Sequence, residues 1–397
     1  MVGPLLINAQ TNPKHLQEVG TLDSIYSESL REVRQFYVQL PPSYQQNSDR
    51  KYPVCYILDG EILLPTVHNV QQFYSGGFMP EMVLIGIVND HDRTKNLTTS
   101  KIEENAATGG AEVFLQFIKK ELIPRIEKKY PVTGFRTLIG HSYGGLFTIN
   151  ALINHQELFS NYLAIDPSLD WDEQDLLAQA KENFSGQDYK NKSLFLSLSG
   201  QLHMQDYSVT IDNVLQDSSQ FTLFARSNIN FSNFVRENQG NGLAFDWSFY
   251  PRDLHGTIPF PSIMDGLIFN FDWFQYENTD RINSFDTPKE ELEAIVNYRA
   301  NKLKDHLGYA VPPYPSDLLT ISGYMSMDRQ QYEKAKMYWD FAIKYYPDDP
   351  NVYDSMADYY DFKEDYPNAI KYVSRAYELS GDDYHKERIE VFKNKNR

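Results

Sequence analysis

The chain has 397 residues, 41% hydrophobic and 23% charged, which excludes a disordered segment and allows more than one core. A formal net charge of −17 at pH 7 repels phosphate backbones and anionic lipid, so nucleic acid and membrane surfaces are not expected partners. Cys55 stands alone, which rules out an internal disulfide and leaves the redox compartment open, and no apolar run approaches the roughly 20 residues of a spanning helix. The opening "MVGPLLINAQ" lacks the basic start and apolar length of a secretory leader. A cytoplasmic location is expected for the chain as written, and a periplasmic or secreted one if a leader was removed.

In chain order, "SIYSESLREVRQFYVQLPPSY" predicts two strands of alternating polarity ended by Pro41 and Pro42. The runs "YPVCYILDG", "MVLIGIVND", "RTLIGHS", "NYLAIDP" and "SLFLSLSG" are nearly continuous in apolar residues, as in strands buried on both faces. Between the second and third, "AEVFLQFIKKELIPRIEKKY" sets Val113, Phe114, Phe117, Ile118, Leu122 and Ile126 on one helical face. Strands separated by helices predict an α/β domain over residues 1–285, a mostly parallel sheet with helices on both faces. Residues 202–250, rich in Asn, Ser, Gln and Phe, read as an insertion and candidate lid.

The remaining residues, 286–397, predict a small all-α region. Tyr332 and Tyr366, Ala335 and Ala369, Ala342 and Ala376, and Gly323 and Ala357 all recur at one spacing, that of a tetratricopeptide repeat. About two such repeats are fewer than a free-standing array needs, so they are expected to pack on the α/β domain. They are also a candidate protein contact surface. A plain helical hairpin appendix is the competing reading.

"TLIGHSYGGLFTIN" crowds Gly140, His141, Ser142, Tyr143, Gly144 and Gly145 between a predicted strand and a predicted helix. The spacing Gly140, Ser142, Gly144 fits a tight elbow that holds a hydroxyl at the carboxyl end of the sheet beside a helix amino terminus. The unpaired N–H groups of such a terminus stabilise an oxyanion. A serine nucleophile needs a base. His255, far along the chain in "YPRDLHGTIPFPSIMDGLIF", follows a β-rich run and fits the order of nucleophile first and base last. His141 adjoins the serine but is expected to point away from it.

The segments "YILDGE", "LIGIVND", "FIKKELIPRIEKKY", "LIGHSYGGLF", "AIDPSLDWD" and "LHGTIPFPSIMDGL" resemble, in order, the esterase D and ferric-enterobactin esterase group of α/β-hydrolases. This resemblance implies an acyl-ester hydrolase working through an acyl-enzyme, with neither metal nor organic cofactor. It also implies oxyanion N–H donors at Tyr143 and at Gly60 or Glu61. In two places the chain departs from the group. Where relatives carry a basic residue, an aspartate and a proline, "DRTKNLTTSK" has Lys95, Asn96 and Thr99; where they often carry a glutamate, "LSGQLHM" has His203.

A different carboxylate is therefore needed to orient the histidine. Asp166, ending "NYLAID" where relatives frequently show serine, is the first choice; Asp206 and Asp253 are the alternatives. Asp166 could instead cap the acid-rich helix start "PSLDWDEQ". Phe73, Tyr74, Tyr143, Trp171 and Phe231 are candidates for an aromatic acyl slot. The expected function is a serine carboxylesterase acting on small or short-acyl esters, with Ser142, His255 and Asp166 as its triad. The competing functions are a siderophore esterase cleaving a catecholate triester, disfavoured by the acidic charge, and a hydrolase fold that binds without catalysis.

Overall fold

The computed structural model describes residues 19–45, 50–89, 91–102 and 107–397; the leader reading of residues 1–10 lies outside them. The chain divides into two compact units, Met1–Ser75 with Pro80–Asp272, and Gly76–Met79 with Trp273–Arg397.

In the first unit the strands are β1 (Thr21–Ser27), β2 (Glu32–Gln39), β3 (Tyr52–Leu58), β4 (Val83–Ile87), β5 (Val132–His141), β6 (Asn161–Ile165), β7 (Ser193–Ser199) and β8 (Ala244–Tyr250). They form one sheet in the order β1-β2-β4-β3-β5-β6-β7-β8. The β1–β2 and β2–β4 pairs are antiparallel and every later pair is parallel. The helices are α1 (Gly60–Tyr74), α2 (Arg93–Leu97), α3 (Ala111–Phe117), α4 (Ile123–Lys129), α5 (Tyr143–Asn154), α6 (Trp171–Asn183), α7 (Leu223–Glu237) and α8 (Pro259–Asn270). The apolar strand runs are buried on both faces because side chains alternate along a strand. Tyr162, Ala164, Leu194 and Leu196 join the core that contains Phe147 of α5. Leu163 and Phe195, on the other face, crowd Gly266 of α8. This is the α/β layer arrangement the strand and helix alternation predicts.

Two local expectations change. Val113 is 47% exposed, whereas Phe114, Phe117, Ile118, Leu122 and Ile126 are buried. A π-helical turn, Ile118–Leu122, joins α3 to α4 just ahead of Pro124. It inserts an extra residue into the helical repeat beside a proline that has no N–H to donate, so one ideal stripe cannot run through both segments. Within 202–250, residues 223–250 are regular sheet-and-helix structure rather than an irregular insertion. Ala225 and Ile229 of α7 pack with Leu198 of β7, and β8 pairs with β7 over its whole length. The segment's loop-like composition misleads because Ser227, Asn228 and Ser232 of α7 are polar yet buried.

The second unit contains α9 (Thr279–Ile282), α10 (Lys289–Leu307), α11 (Ser316–Asp328), α12 (Tyr332–Tyr345), α13 (Pro350–Phe362), α14 (Tyr366–Ser380) and α15 (Asp383–Lys395). The pair α13–α14 starts one repeat length after the pair α11–α12. Their turns repeat as well: Gln331 N donates to Ser326 O at 2.9 Å, and Asp365 N to Tyr360 O at 2.9 Å. Ala335, Ala342, Ala357, Ala369 and Ala376 are fully buried, letting neighbouring helices approach. Gly323 stands where the next repeat has Ala357 because a Cβ there would overlap the Trp339 indole, and the residue one repeat after Trp339 is the smaller Val373.

Candidate active site

Ser142 lies between β5 and α5 with φ 61° and ψ −118°, a conformation that non-glycine residues avoid and that marks stored strain. The flanking glycines make the bend sterically possible. A Cβ on Gly140 would overlap the Gly144 carbonyl, and one on Gly145 would crowd Pro167. The bend is pinned by backbone bonds: Ser142 N donates to Ile165 O (2.9 Å), and Ser142 O accepts from Leu146 N (3.0 Å) and Ser168 N (3.1 Å). Ser142 Oγ shares a 3.3 Å hydrogen bond with Ser168 Oγ. Sequence reasoning missed Ser168, whose position depends on the β6 connection folding back over the elbow.

Asp166 ends β6 with φ 42° and is completely buried, beside a His255 side chain that is 36% exposed. Asp166 Oδ2 lies 2.7 Å from His255 Nδ1, and Oδ1 accepts from Ser199 N at 2.8 Å. An ionised carboxylate only accepts, so the geometry puts the proton on Nδ1 and leaves Nε2 with its lone pair. His255 is held further by its N–H to Gln201 Oε1 (3.3 Å) and by the edge of Phe224, 5.5 Å between ring centroids.

The other candidate acids lie elsewhere. Asp206 is exposed and accepts from Ser208, and Asp253 accepts from Thr257 Oγ1 at 3.0 Å. His203 Nδ1 accepts from Gln205 N (3.0 Å) and Asp206 N (2.8 Å), so this residue staples the loop after β7 where relatives often carry the acid. Asp170, not singled out from sequence, lies close enough to His255 to interact electrostatically; burial pushes its carboxyl up and His255 opposes the shift.

The His141 ring, expected to point away from Ser142, packs on the catalytic-base candidate: its centroid is 4.5 Å from that of His255. Burial, reinforced by repulsion from His255, lowers its pKa to about 4. A neutral imidazole therefore packs on His255 near neutral pH.

Tyr143 and Gly60 begin helices, where N–H groups have no acceptor within the helix. Gly60 is glycine because a Cβ would run into the Gly86 backbone. Glu61 projects toward Asn89, whose N–H lies 3.4 Å from both carboxylate oxygens. Asp59, just before Gly60, is buried in the left-handed region at φ 52° and pairs bidentately with Arg93, at 2.8 Å from Nε and 2.7 Å from Nη2. The loop that departs from the family pattern at Lys95 therefore still carries a basic residue, Arg93, two positions earlier. Lys95 pairs with Asp92 at 3.4 Å, and Asn96 is buried.

Of the aromatic candidates, Tyr143 and Trp171 meet edge to face at 5.4 Å. Phe231 is fully buried core, and Phe73 is exposed at the far end of α1, so neither has the placement expected of an acyl slot. Helical periodicity buries Phe231 with Ser227 and Val235. Among the described residues, no group of three or more His, Cys, Asp or Glu is arranged to hold a metal, and no helix is long and apolar enough to cross a membrane.

The family model described as "Putative esterase" matches residues 27–220. The ferri-bacillibactin esterase BesA of Bacillus subtilis is 30% identical over 186 residues, covering 41% of this chain and 64% of that protein. Among solved structures, an IroE-like serine hydrolase from Shewanella oneidensis superposes with a TM-score of 0.65 at 28% identity, covering 81% of this chain and 98% of that one. Over this part of its length the chain is similar to esterases. Another relative is the siderophore triacetylfusarinine C esterase of Aspergillus fumigatus, 31% identical over 144 residues, which are 32% of this chain and 48% of that protein. The match thus spans less than two thirds of the length of either curated relative.

Proposed function

We propose that the protein is a serine carboxylesterase whose substrates are siderophore esters. Ser142 is the nucleophile, His255 the proton carrier and Asp166 the orienting acid. The observation that carries this reading is the 2.7 Å bond between His255 Nδ1 and Asp166 Oδ2, the latter at the end of the strand next to the one that leads into the strained serine. Ser142 Oγ attacks the ester carbonyl as His255 Nε2 takes its proton. Negative charge collects on the carbonyl oxygen, where the N–H groups of Tyr143 and Gly60 or Glu61 are the candidate donors. The intermediate collapses, the alcohol leaves with the proton from Nε2, and water then releases the acid from Ser142 by the same path. The bond between Ser142 Oγ and Ser168 Oγ must give way to one with His255; nucleophile–base contacts often tighten only when substrate binds.

The substrate class rests on the relatives, whose printed names are ferri-bacillibactin esterase and siderophore triacetylfusarinine C esterase. It reverses the preference for simple esters that the acidic net charge and the altered basic position of the loop suggested. That charge is summed over the whole chain, whereas binding depends on the local field. The test compares kcat/KM for a catecholate triester, with and without iron, against p-nitrophenyl butyrate, alongside labelling by a fluorophosphonate. Rapid labelling of Ser142 and a preference for the triester are expected. A Ser142→Ala protein that still hydrolyses within a few-fold of wild type would remove the mechanism; a preference for butyrate would restore the short-acyl reading.

A further inference from the structure

We infer that Arg93 is a positioning residue that locks the two halves of the oxyanion site together, an assignment that rests on the esterase reading above. Its guanidinium commits two N–H groups to Asp59, at 2.8 and 2.7 Å, and Nη2 also donates to the backbone carbonyl of His141 at 3.1 Å. Asp59 precedes Gly60, and His141 precedes Ser142. One planar cation thus touches the residue ahead of each strained or donor-bearing turn. Its Cζ also lies 5.8 Å from the centroid of the Tyr143 ring.

The mechanical effect follows from peptide planarity. The plane containing the His141 carbonyl also contains the Ser142 N–H, which is bound at 2.9 Å to Ile165 O. With both ends of that plane held, and the Ser142 carbonyl on the far side accepting from Leu146 N (3.0 Å) and Ser168 N (3.1 Å), the Ser142 backbone cannot relax from φ 61° without breaking one of these bonds. On the other side, Asp59 stays at φ 52° and ψ 46° while its carboxylate is clamped by Arg93 and by Asn89 Nδ2 at 3.3 Å. That conformation sets the direction of the following N–H at Gly60. Asn89 in turn accepts from Arg34 Nη2 at 3.1 Å, which ties the clamp to the sheet. A lysine cannot reproduce a bidentate carboxylate pair and a carbonyl contact from one rigid plane.

The experiment measures Arg93→Met and Arg93→Lys with p-nitrophenyl butyrate and with an alkyl boronic acid, which forms a tetrahedral adduct on an active serine; Ser142→Ala is the control. Arg93→Met is expected to lose about 10²- to 10³-fold in kcat with KM within roughly three-fold of wild type. Its boronate Ki should rise in parallel with the loss in kcat/KM. Arg93→Lys, which keeps the charge and protects the fold, should recover part of both. The assignment is overturned if Arg93→Met keeps kcat within a few-fold, if KM alone rises, or if kcat falls without weakening boronate affinity. In each of those cases an inactive Ser142→Ala leaves the esterase reading standing. A Ser142→Ala protein as active as wild type ends both.

Discussion

The α/β unit and the helical unit place their backbone strain differently. In the α/β unit some non-glycine residues with positive φ, such as Arg31 and Asn191, close turns, but Asp59, Ser142 and Asp166 stand at strand ends around the candidate site. In the helical unit, Gln330 and Glu364 have positive φ, and they stand one repeat length apart at the equivalent turns of two hairpins. A left-handed residue costs on the order of 1 kcal/mol in either place. In the helices that cost closes a turn, where the only requirement is a reversal of direction. Around Ser142 it holds side chains from distant strands in one arrangement, so the two units should respond differently to relief of strain.

The strongest test of this contrast is chemical. Ser142→Ala should lower kcat by about 10⁶-fold, read in a single-substrate ester assay. Asp166→Asn should lower it by about 10³- to 10⁴-fold, while Asp206→Asn, on its exposed loop, stays near wild type; equal effects from the two would dissolve the proposed pairing with His255. Strain relief comes next. Ser142→Gly should raise the denaturation free energy by about 1–3 kcal/mol while abolishing hydrolysis. Gln330→Gly should gain under about 1 kcal/mol, because the turn tolerates the left-handed conformation and glycine adds entropy to the unfolded chain.

A subtler measurement uses His141. Its folded pKa of about 4 lies below its ordinary value of 6.5, so between those limits the unfolded chain binds the extra proton. Stability contributed by this group is complete above pH 6.5 and is lost as pH falls toward 4, by roughly 3 kcal/mol at most. The groups that influence it are His255, Asp166 and Arg93. His141→Gln should flatten the stability profile over that window in urea titrations; an unchanged slope would mean the imidazole is already solvated. Smallest of all, removing the exposed Lys336–Asp340 pair of α12 (2.8 Å) with Lys336→Met should shift stability by less than about 0.5 kcal/mol.

Local chemistry made several features legible. The elbow was readable because Gly140, Ser142 and Gly144 follow an apolar strand. The helical hairpins were readable because small residues recur at a fixed repeat length. The strands of the sheet were readable from their apolar runs. Other features lay beyond local pattern. Phe231 looks like any exposed-slot aromatic until α7 turns it into the core. Val113 fits a helical stripe in sequence, yet on α3 it is exposed beside the buried Phe114. Arg93 and Asp59 are ordinary surface-type residues in sequence, well separated along the chain, and become a clamp only when their two loops meet.

By itself, then, the sequence determined the alternation of strand and helix, the sharp bend that carries Ser142, and the order in which serine and histidine follow one another. These depend on periodicity and on turn residues acting over a few positions. Only the tertiary structure decided which carboxylate faces His255 and where His141 lies. The Asp166–His255 bond joins residues 89 positions apart, and the Ser199 N–H that holds the other carboxylate oxygen comes from the neighbouring parallel strand. Strand register, set by packing across the sheet, brings such groups within hydrogen-bonding distance, and no short window of sequence carries that register.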